Sequence, residues 1–175
     1  MTKHTFLISL FYCIISMNVF GQNATEFPTG YVLHAKIHNG MLTRFNSEPD
    51  QYTGGFQLVP QWTVVPGHWR IGLIAGAMYS AKKIEAQLGA TMSIKLKNFG
   101  ANVFGTAGNT NVSLDYIAGT GKQQLIGGGI HLDLFNKLLL GITAHRDVTL
   151  NSWWFQTSFG VRINKIKKIK EPFNQ

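Results

Sequence analysis

Cysteine, charge and long apolar runs are all scarce in this chain. Its single cysteine, Cys13, lies in an N-terminal apolar segment, so the rest of the chain has no disulfide, no thiol nucleophile and no thiolate metal site. Charged residues make up 14% of the chain, whereas soluble domains usually have roughly 25%. After the N-terminal segment no run reaches the roughly 18 apolar residues of a transmembrane helix. A disulfide scaffold and a helical membrane span are therefore excluded there.

The N-terminal segment has the pattern of an export signal. A short basic start precedes an apolar run from Phe6 to about Met17, and tolerably small residues stand at positions −3 and −1 before Gln22. The apolar run is too short to cross a bilayer as an anchor. We therefore expect residues 1–21 to be a cleaved signal peptide, residues 22–164 to form one domain, and residues 165–175 to form a basic tail.

Apolar and polar residues alternate strictly through most of that domain, and the segment from Trp153 to Asn164 shows the pattern well. One of its faces reads Trp, Phe, Thr, Phe, Val, Ile, and the other reads Trp, Gln, Ser, Gly, Arg, Asn. A period of two residues is typical of a β-strand with one apolar and one polar face. The remaining segments repeat the pattern, which predicts an all-β domain.

Eight strands joined by alternating short and longer links are predicted, in the order of an up-and-down antiparallel meander. Pro60 would remove a ladder hydrogen bond, so we expect a bulge or a local gap in the second strand. Pro66 and Gly67 predict a tight turn. For the fifth strand the segment 112–119 is preferred over 99–106. The predicted strands are Tyr31–Leu42, Gly55–Val65, His68–Tyr79, Ile84–Leu96, Val112–Gly119, Gln124–Leu134, Leu138–Arg146 and Ser152–Asn164.

The polar face of these strands carries mainly Gly, Ser, Thr, Gln and His, with few charges. A soluble barrel needs a solvent face rich in Lys and Glu, so this composition favours polar residues inside a small lumen and apolar residues facing lipid. On this pattern the chain resembles the small eight-stranded outer-membrane β-barrels of the OmpX and OmpA membrane-domain type. The resemblance implies a transmembrane β-barrel in the outer membrane of a Gram-negative bacterium. Such barrels usually end on an aromatic residue, a position that Phe159 or Phe173 could fill here.

Two groups of residues follow from this interpretation. Charges inside a narrow barrel are costly unless they are paired, so the inward charged and histidine side chains are expected to form a salt-bridged lumen network: Lys36, Arg70, Glu85, Lys95, Asp115, His131, Asp133 and Arg162. Within it, Asp133 is expected to serve as a counter-charge for nearby cations. Aromatic residues near strand ends suit two membrane-interface belts: Tyr31, Trp62 and Trp69 at one end, with Phe135, and Tyr79, Trp153 and Phe155 at the other, with Phe56.

The sequence carries little catalytic or metal-binding signal. His131 and Asp133 share one face, but two ligands do not define a metal site, and a packed His–Asp pair is the simpler interpretation. His145 and Asp147 near the predicted outer rim could serve acid–base chemistry, although no serine nucleophile stands at a recognisable motif. The C-terminal basic run has no nucleic-acid-binding motif. We predict no cofactor and no metal.

The leading hypothesis is a non-enzymatic integral outer-membrane barrel with a structural, surface-interaction or narrow-pore role. Its expected partners are outer-membrane lipids and the barrel-assembly machinery, with no nucleic acid and an unidentified surface ligand. One alternative is an outer-membrane hydrolase or lipid-modifying enzyme that uses His145 and Asp147. The other is a soluble, secreted ligand-binding barrel, in which the apolar faces would point inward.

Overall fold

The computed structural model describes residues 30–45, 49–80, 82–99, 108–134 and 137–164. These residues form eight antiparallel strands that close into one barrel, in which each strand pairs with its sequence neighbours and β1 pairs with β8. No helix in this part of the chain is long and apolar enough to cross a membrane. The strands are β1 Tyr31–Thr43, β2 Gln51–Val65, β3 Trp69–Ser80, β4 Lys83–Phe99, β5 Gly108–Gly119, β6 Gln124–Leu134, β7 Leu138–Asp147 and β8 Ser152–Arg162.

The predicted fold class is confirmed, and most strand bounds agree within one or two residues. The fifth strand contains the preferred segment 112–119 and begins earlier, at Gly108. β2 begins at Gln51, four residues before the predicted start, because its first residues pair with the end of β1 although they do not show the apolar alternation. The predicted signal peptide and basic tail, residues 1–21 and 165–175, lie outside the described residues.

Alternation is visible directly in the burial of the side chains. On β4, Leu88 is 68% exposed whereas its neighbour Gln87 is 1% exposed. On β1, Ile37 is 60% exposed between the buried Lys36 and His38. Large apolar residues therefore cover the outside of the barrel, and polar residues fill its interior. This arrangement contradicts the soluble ligand-binding alternative, which required the apolar faces to point inward.

Irregularities in the sheet lie close to the places where the sequence breaks the pattern. Pairing of β2 with β3 is interrupted at Pro60, as expected from its missing backbone donor, although Pro60 still lies opposite Leu33 of β1. Two register shifts were not predicted: one lies between Thr63 and Val65, and the other between Lys95 and Lys97. Each bends its strand at the same end of the barrel.

Turns and side-chain bonds complete the two ends of the barrel. Gly67 has φ +75° and the amide of His68 donates to the carbonyl of Val65 at 3.0 Å, so the predicted Pro–Gly turn forms. At the seam between β1 and β8, Asn164 accepts from the amide of Leu33 and donates to the carbonyl of Tyr31, both at 2.7 Å. This side chain extends the pairing beyond the last residue of β8.

The two ends of the barrel differ in what they carry. We call the end with both termini of the barrel the terminal end; it also carries the links 66–68, 100–107 and 135–137. The opposite end, the loop end, carries the links 44–50, 81–82, 120–123 and 148–151. None of these links exceeds eight residues, so nearly the whole domain is strand.

Candidate functional site

The barrel interior holds the polar side chains that the sequence singled out. Six of the eight are buried, namely Lys36, Arg70, Lys95, Asp115, His131 and Asp133, while Glu85 and Arg162 are partly exposed. The alternation of the strands explains this placement, because every second residue of a strand points to the same face of the sheet, and one of the two faces lines the lumen. These side chains lie in three groups, at the centre of the barrel and at its two ends.

Asp115 organises the central group. Its carboxylate accepts hydrogen bonds from Thr91 Oγ1 at 2.5 Å and from Ser113 Oγ at 3.0 Å, and it lies 3.4 Å from His145 Nε2. Ser113 Oγ also lies 3.0 Å from His131 Nε2. Lys36 adds an electrostatic attraction to the same carboxylate. A buried carboxylate with several donors is stabilised in its charged form, so the centre of the lumen is an ordered polar core.

Sequence reasoning missed Thr91, Ser113 and His145 as members of this core. The only signal was that small hydroxyl residues recur at inward positions of β4 and β5. Their meeting depends on register, because Thr91 lies opposite Asp115 and Ser113 opposite Ser93. The structure therefore supplied the partners that the alternation alone could not identify.

Serine, histidine and aspartate meet in this core without the geometry of a hydrolase. In a catalytic triad the histidine stands between the serine and the carboxylate. Here Ser113 stands between Asp115 and His131, and it is 5% exposed. A substrate would also need a path to the centre of the lumen. The order of these three residues therefore differs from that of a catalytic triad.

A second, strongly basic group lies toward the terminal end. Asp133 attracts both Arg70 and Arg162 electrostatically. His34 lies opposite Arg162, and together with Lys36, Arg70, His131 and Asp133 it lines a cavity of about 10 Å³. The cavity has room for about one water-sized particle.

His131 and Asp133 do not form the packed pair that their shared face suggested. His131 Nε2 contacts Ser113, and Asp133 faces the arginines instead. The ring of His131 lies over Gly141, where an added Cβ would collide with Nδ1. Among the described residues no group of three or more His, Cys, Asp or Glu side chains is placed to hold a metal ion.

Glu85 belongs to a third group, at the loop end, and is separated from the basic residues. Its carboxylate accepts a short hydrogen bond from Gln123, whose Nε2 also lies 3.5 Å from Ser80 Oγ. An apolar cluster fills the loop-end half of the lumen. The cluster consists of Leu42, Val59, Ile74, Met78, Ile117, Leu125 and Trp154, and Trp154 is 0% exposed.

The two residues of the enzyme alternative are buried and serve different structural purposes. His145 is 2% exposed and contacts Asp115, not Asp147. Asp147 is 0% exposed, and its Oδ1 accepts from the amides of Thr149 and Leu150 at 3.0 Å each. The two residues therefore do not form an accessible acid–base pair, and Asp147, at the loop-end rim, holds the β7–β8 turn.

Replacing Asp147 with alanine should destabilise the folded barrel by about 1–2 kcal/mol, because two turn amides lose their acceptor. Asp147→Asn is the matched control, since it keeps Oδ1 and should retain most of the stability. Urea unfolding of both variants in lipid vesicles measures the difference. If asparagine were as damaging as alanine, the carboxylate charge rather than the turn would be what matters.

Aromatic side chains form a belt at each end of the outer surface. At the terminal end the ring centroids of Tyr31 and Trp62 lie 5.5 Å apart, and Trp69 lies beside them on β3. At the loop end Trp153 stacks on Phe155 at 6.1 Å. The sequence analysis did not assign Phe45 and Tyr52 to this belt, but Phe45 contacts Phe155 and Tyr52 contacts Tyr79. Phe56 lies deeper, opposite Ile37 and Ala77, and Phe135 lies outside the described residues.

Comparison with solved structures shows the fold and little sequence similarity. A de novo designed transmembrane β-barrel is 13% identical with a TM-score of 0.51, covering 79% of this chain and 100% of that one. The designed barrel TMB2.3 is 14% identical, with a TM-score of 0.47 and coverage of 78% and 98%. Ail, the attachment invasion locus protein of Yersinia pestis, is 8% identical, with a TM-score of 0.47 and coverage of 77% and 99%.

No protein-family model and no curated protein matches this chain. The comparison and the barrel topology together show that the chain has the fold of a small eight-stranded transmembrane β-barrel.

Proposed function

We propose that this protein is an integral β-barrel of a bacterial outer membrane with a closed lumen and a non-enzymatic, structural role. The observation that supports this most is the inverted burial pattern, with large apolar side chains outside and charged and polar side chains inside. Exposed apolar surface of this extent on a monomeric soluble protein would be unusual. In a bilayer the same surface contacts lipid at no cost.

Aromatic belts and a charge-poor outer wall support the same proposal. Most outward residues between the belts are apolar or small, apart from polar residues such as Asn39 and Thr157, which lie opposite each other on β1 and β8. The outward arginine, Arg146, lies at the loop end, where it stands 5.4 Å from the ring of Trp153. Tyrosine and tryptophan favour the two membrane–water interfaces. We infer that the terminal end, which carries the start of β1 and the end of β8, faces the periplasm.

The filled lumen favours a structural role over a narrow pore. Eight strands enclose little more than their own side chains. Here the apolar cluster around Trp154, Leu125 and Met78 occupies the loop-end half, with each of these side chains at most 1% exposed. A continuous water path would have to displace that cluster. The short loop-end links also offer little surface to a large binding partner.

Two measurements test this proposal. Fractionation of cells that produce the full chain should place it in the outer membrane, resistant to urea extraction. In planar lipid bilayers the purified barrel should give no stepwise current. As a positive control, a Trp154→Gly, Met78→Ala double variant should remove part of the apolar cluster and pass small ions. Extraction of the wild-type chain as a soluble protein would contradict the membrane assignment, and discrete wild-type openings would contradict the closed lumen.

The basic tail is proposed to bind the membrane surface where the barrel emerges. Each lysine near an anionic surface contributes about 1 kcal/mol to the binding free energy, and this attraction falls off within a Debye length of the surface. Glutamine in place of Lys165, Lys167, Lys168 and Lys170 keeps Phe173 and removes the charge. We expect slower insertion into anionic vesicles at low salt and a weaker salt dependence. Insertion kinetics that match the wild type at every salt concentration would leave the tail without this role.

A further inference from the structure

The terminal-end half of the lumen carries more positive than negative charge. Its described inward side chains include the cations Lys36, Arg70, Lys95 and Arg162, and the acids Asp115 and Asp133. Glu85 and Asp147 lie at the loop end and do not offset this excess. Unbalanced charge in a low-dielectric interior is costly unless a counter-ion accompanies it.

Acidic residues elsewhere in the sequence offer few further partners. The links 100–107 and 135–136 at the terminal end contain no aspartate or glutamate. The segments next to the barrel at this end contribute only Glu26 and Glu171. The excess charge is therefore a property of the barrel wall itself.

Buried side-chain nitrogens in this region have no hydrogen-bond partner among the described residues. All three guanidinium nitrogens of Arg162 are inaccessible and have no hydrogen-bond partner, although Asp133 attracts the group as a whole. His34, 3% exposed, has a buried Nδ1 that also lacks a partner. Arg162 acts electrostatically on both His34 and Arg70, which places the three cationic or titratable groups close together.

The cavity beside these groups is suited to an anion. Its wall is rich in donors, since His34, Lys36, Arg70 and the side-chain amides of Gln61 and Asn111 line it, and Asp133 is its only carboxylate among the described residues. Guanidinium and ammonium groups make their strongest hydrogen bonds to charged acceptors. The volume of about 10 Å³ limits the occupant to a small ion and leaves no room for sulfate or phosphate.

We propose that the terminal-end half of the lumen binds one small monovalent anion, chloride under ordinary conditions, in the cavity lined by His34, Lys36 and Arg70, with Arg162 nearby as a further positive charge. The ion offsets the excess positive charge of the wall. Access is from the terminal end, where Arg162 is partly exposed, because the apolar cluster fills the loop-end half.

The test replaces chloride with gluconate at constant ionic strength and follows urea unfolding of the full-length barrel in neutral lipid vesicles. Chloride and bromide should each raise the unfolding midpoint along a saturating curve, and sulfate should not. Broadening of the ³⁵Cl resonance by the folded protein, reversed by bromide, gives an independent measure of binding. Loss of the nearby positive charge in Arg162→Gln should weaken chloride binding by about tenfold.

Lys137→Gln is the matched control, because it removes an exposed cation at the same end and should leave chloride binding unchanged. If Arg162→Gln does not fold, the resonance measurement on the wild-type chain alone still decides the matter. Absence of a saturable halide effect, or an equal effect of sulfate, overturns the proposal. A halide effect that appears only in Glu171→Gln would also overturn it, because the tail carboxylate would then be the natural counter-charge.

Discussion

Replacing Leu88 with arginine should destabilise the barrel by about 2–4 kcal/mol in lipid vesicles. Leu88 is 68% exposed on the outer wall. It lies about midway along β4 between Ile84, opposite Tyr79 of the loop-end belt, and Ile94, opposite Trp69 of the terminal-end belt. An arginine at this depth must either bury its charge in hydrocarbon or distort the bilayer to reach water.

Two controls separate this membrane effect from ordinary packing. Leu88→Ala removes the same contacts without adding charge and should cost much less. Val148→Arg adds the charge to an exposed turn at the loop end and should change stability little. Equal tolerance of arginine at positions 88 and 148, measured by urea titration of folding in vesicles, would refute the membrane assignment.

Removing the charge of Asp133 should cost about 3–5 kcal/mol, because the buried Arg70 and the partly exposed Arg162 would lose their shared counter-charge. Asp133 is 2% exposed and attracts both Arg70 and Arg162. Asp133→Asn keeps the shape of the side chain, so its effect reports the charge. Equilibrium unfolding of the variant in neutral vesicles measures the loss.

The same substitution in two backgrounds isolates the pairing. In an Arg162→Gln background, Asp133→Asn should cost less, because one of the two cations is already absent. Asp50→Asn, at an exposed position of the loop end, is the control and should be neutral. A loss below about 1 kcal/mol, or equal losses in both backgrounds, would show that Asp133 is not the counter-charge. Chloride should be present at a fixed concentration, since the proposed anion would share this task.

Much of the fold was accessible from the sequence because alternation is a local property. Each strand shows its own inward and outward columns, so Leu88 and Gln87 could be assigned to opposite faces without knowledge of their neighbours. The same reasoning preferred the segment 112–119, which lies within β5, and located the gap at Pro60. The bulges beyond Thr63 and Lys95 were missed because no local residue type demands them.

Partners inside the lumen were less accessible, since they depend on register across several strands. His145 was paired with Asp147 because they are close in sequence. The sheet instead brings His145 across β6 to Asp115, and turns Asp147 toward the amides of its own turn. His131 and Asp133 were similarly assigned to each other, although each meets a residue from another strand.

By itself the sequence determined the strand number, the two faces of each strand, the near absence of outward charge, and the composition of the interior. These follow from residue type and a period of two. Only the tertiary structure decided which inward side chains meet, where the apolar cluster lies and which end carries the excess of positive charge. The reason is geometric: closing eight strands imposes one stagger on the whole sheet, and that stagger, not the spacing within any strand, sets every contact across the lumen.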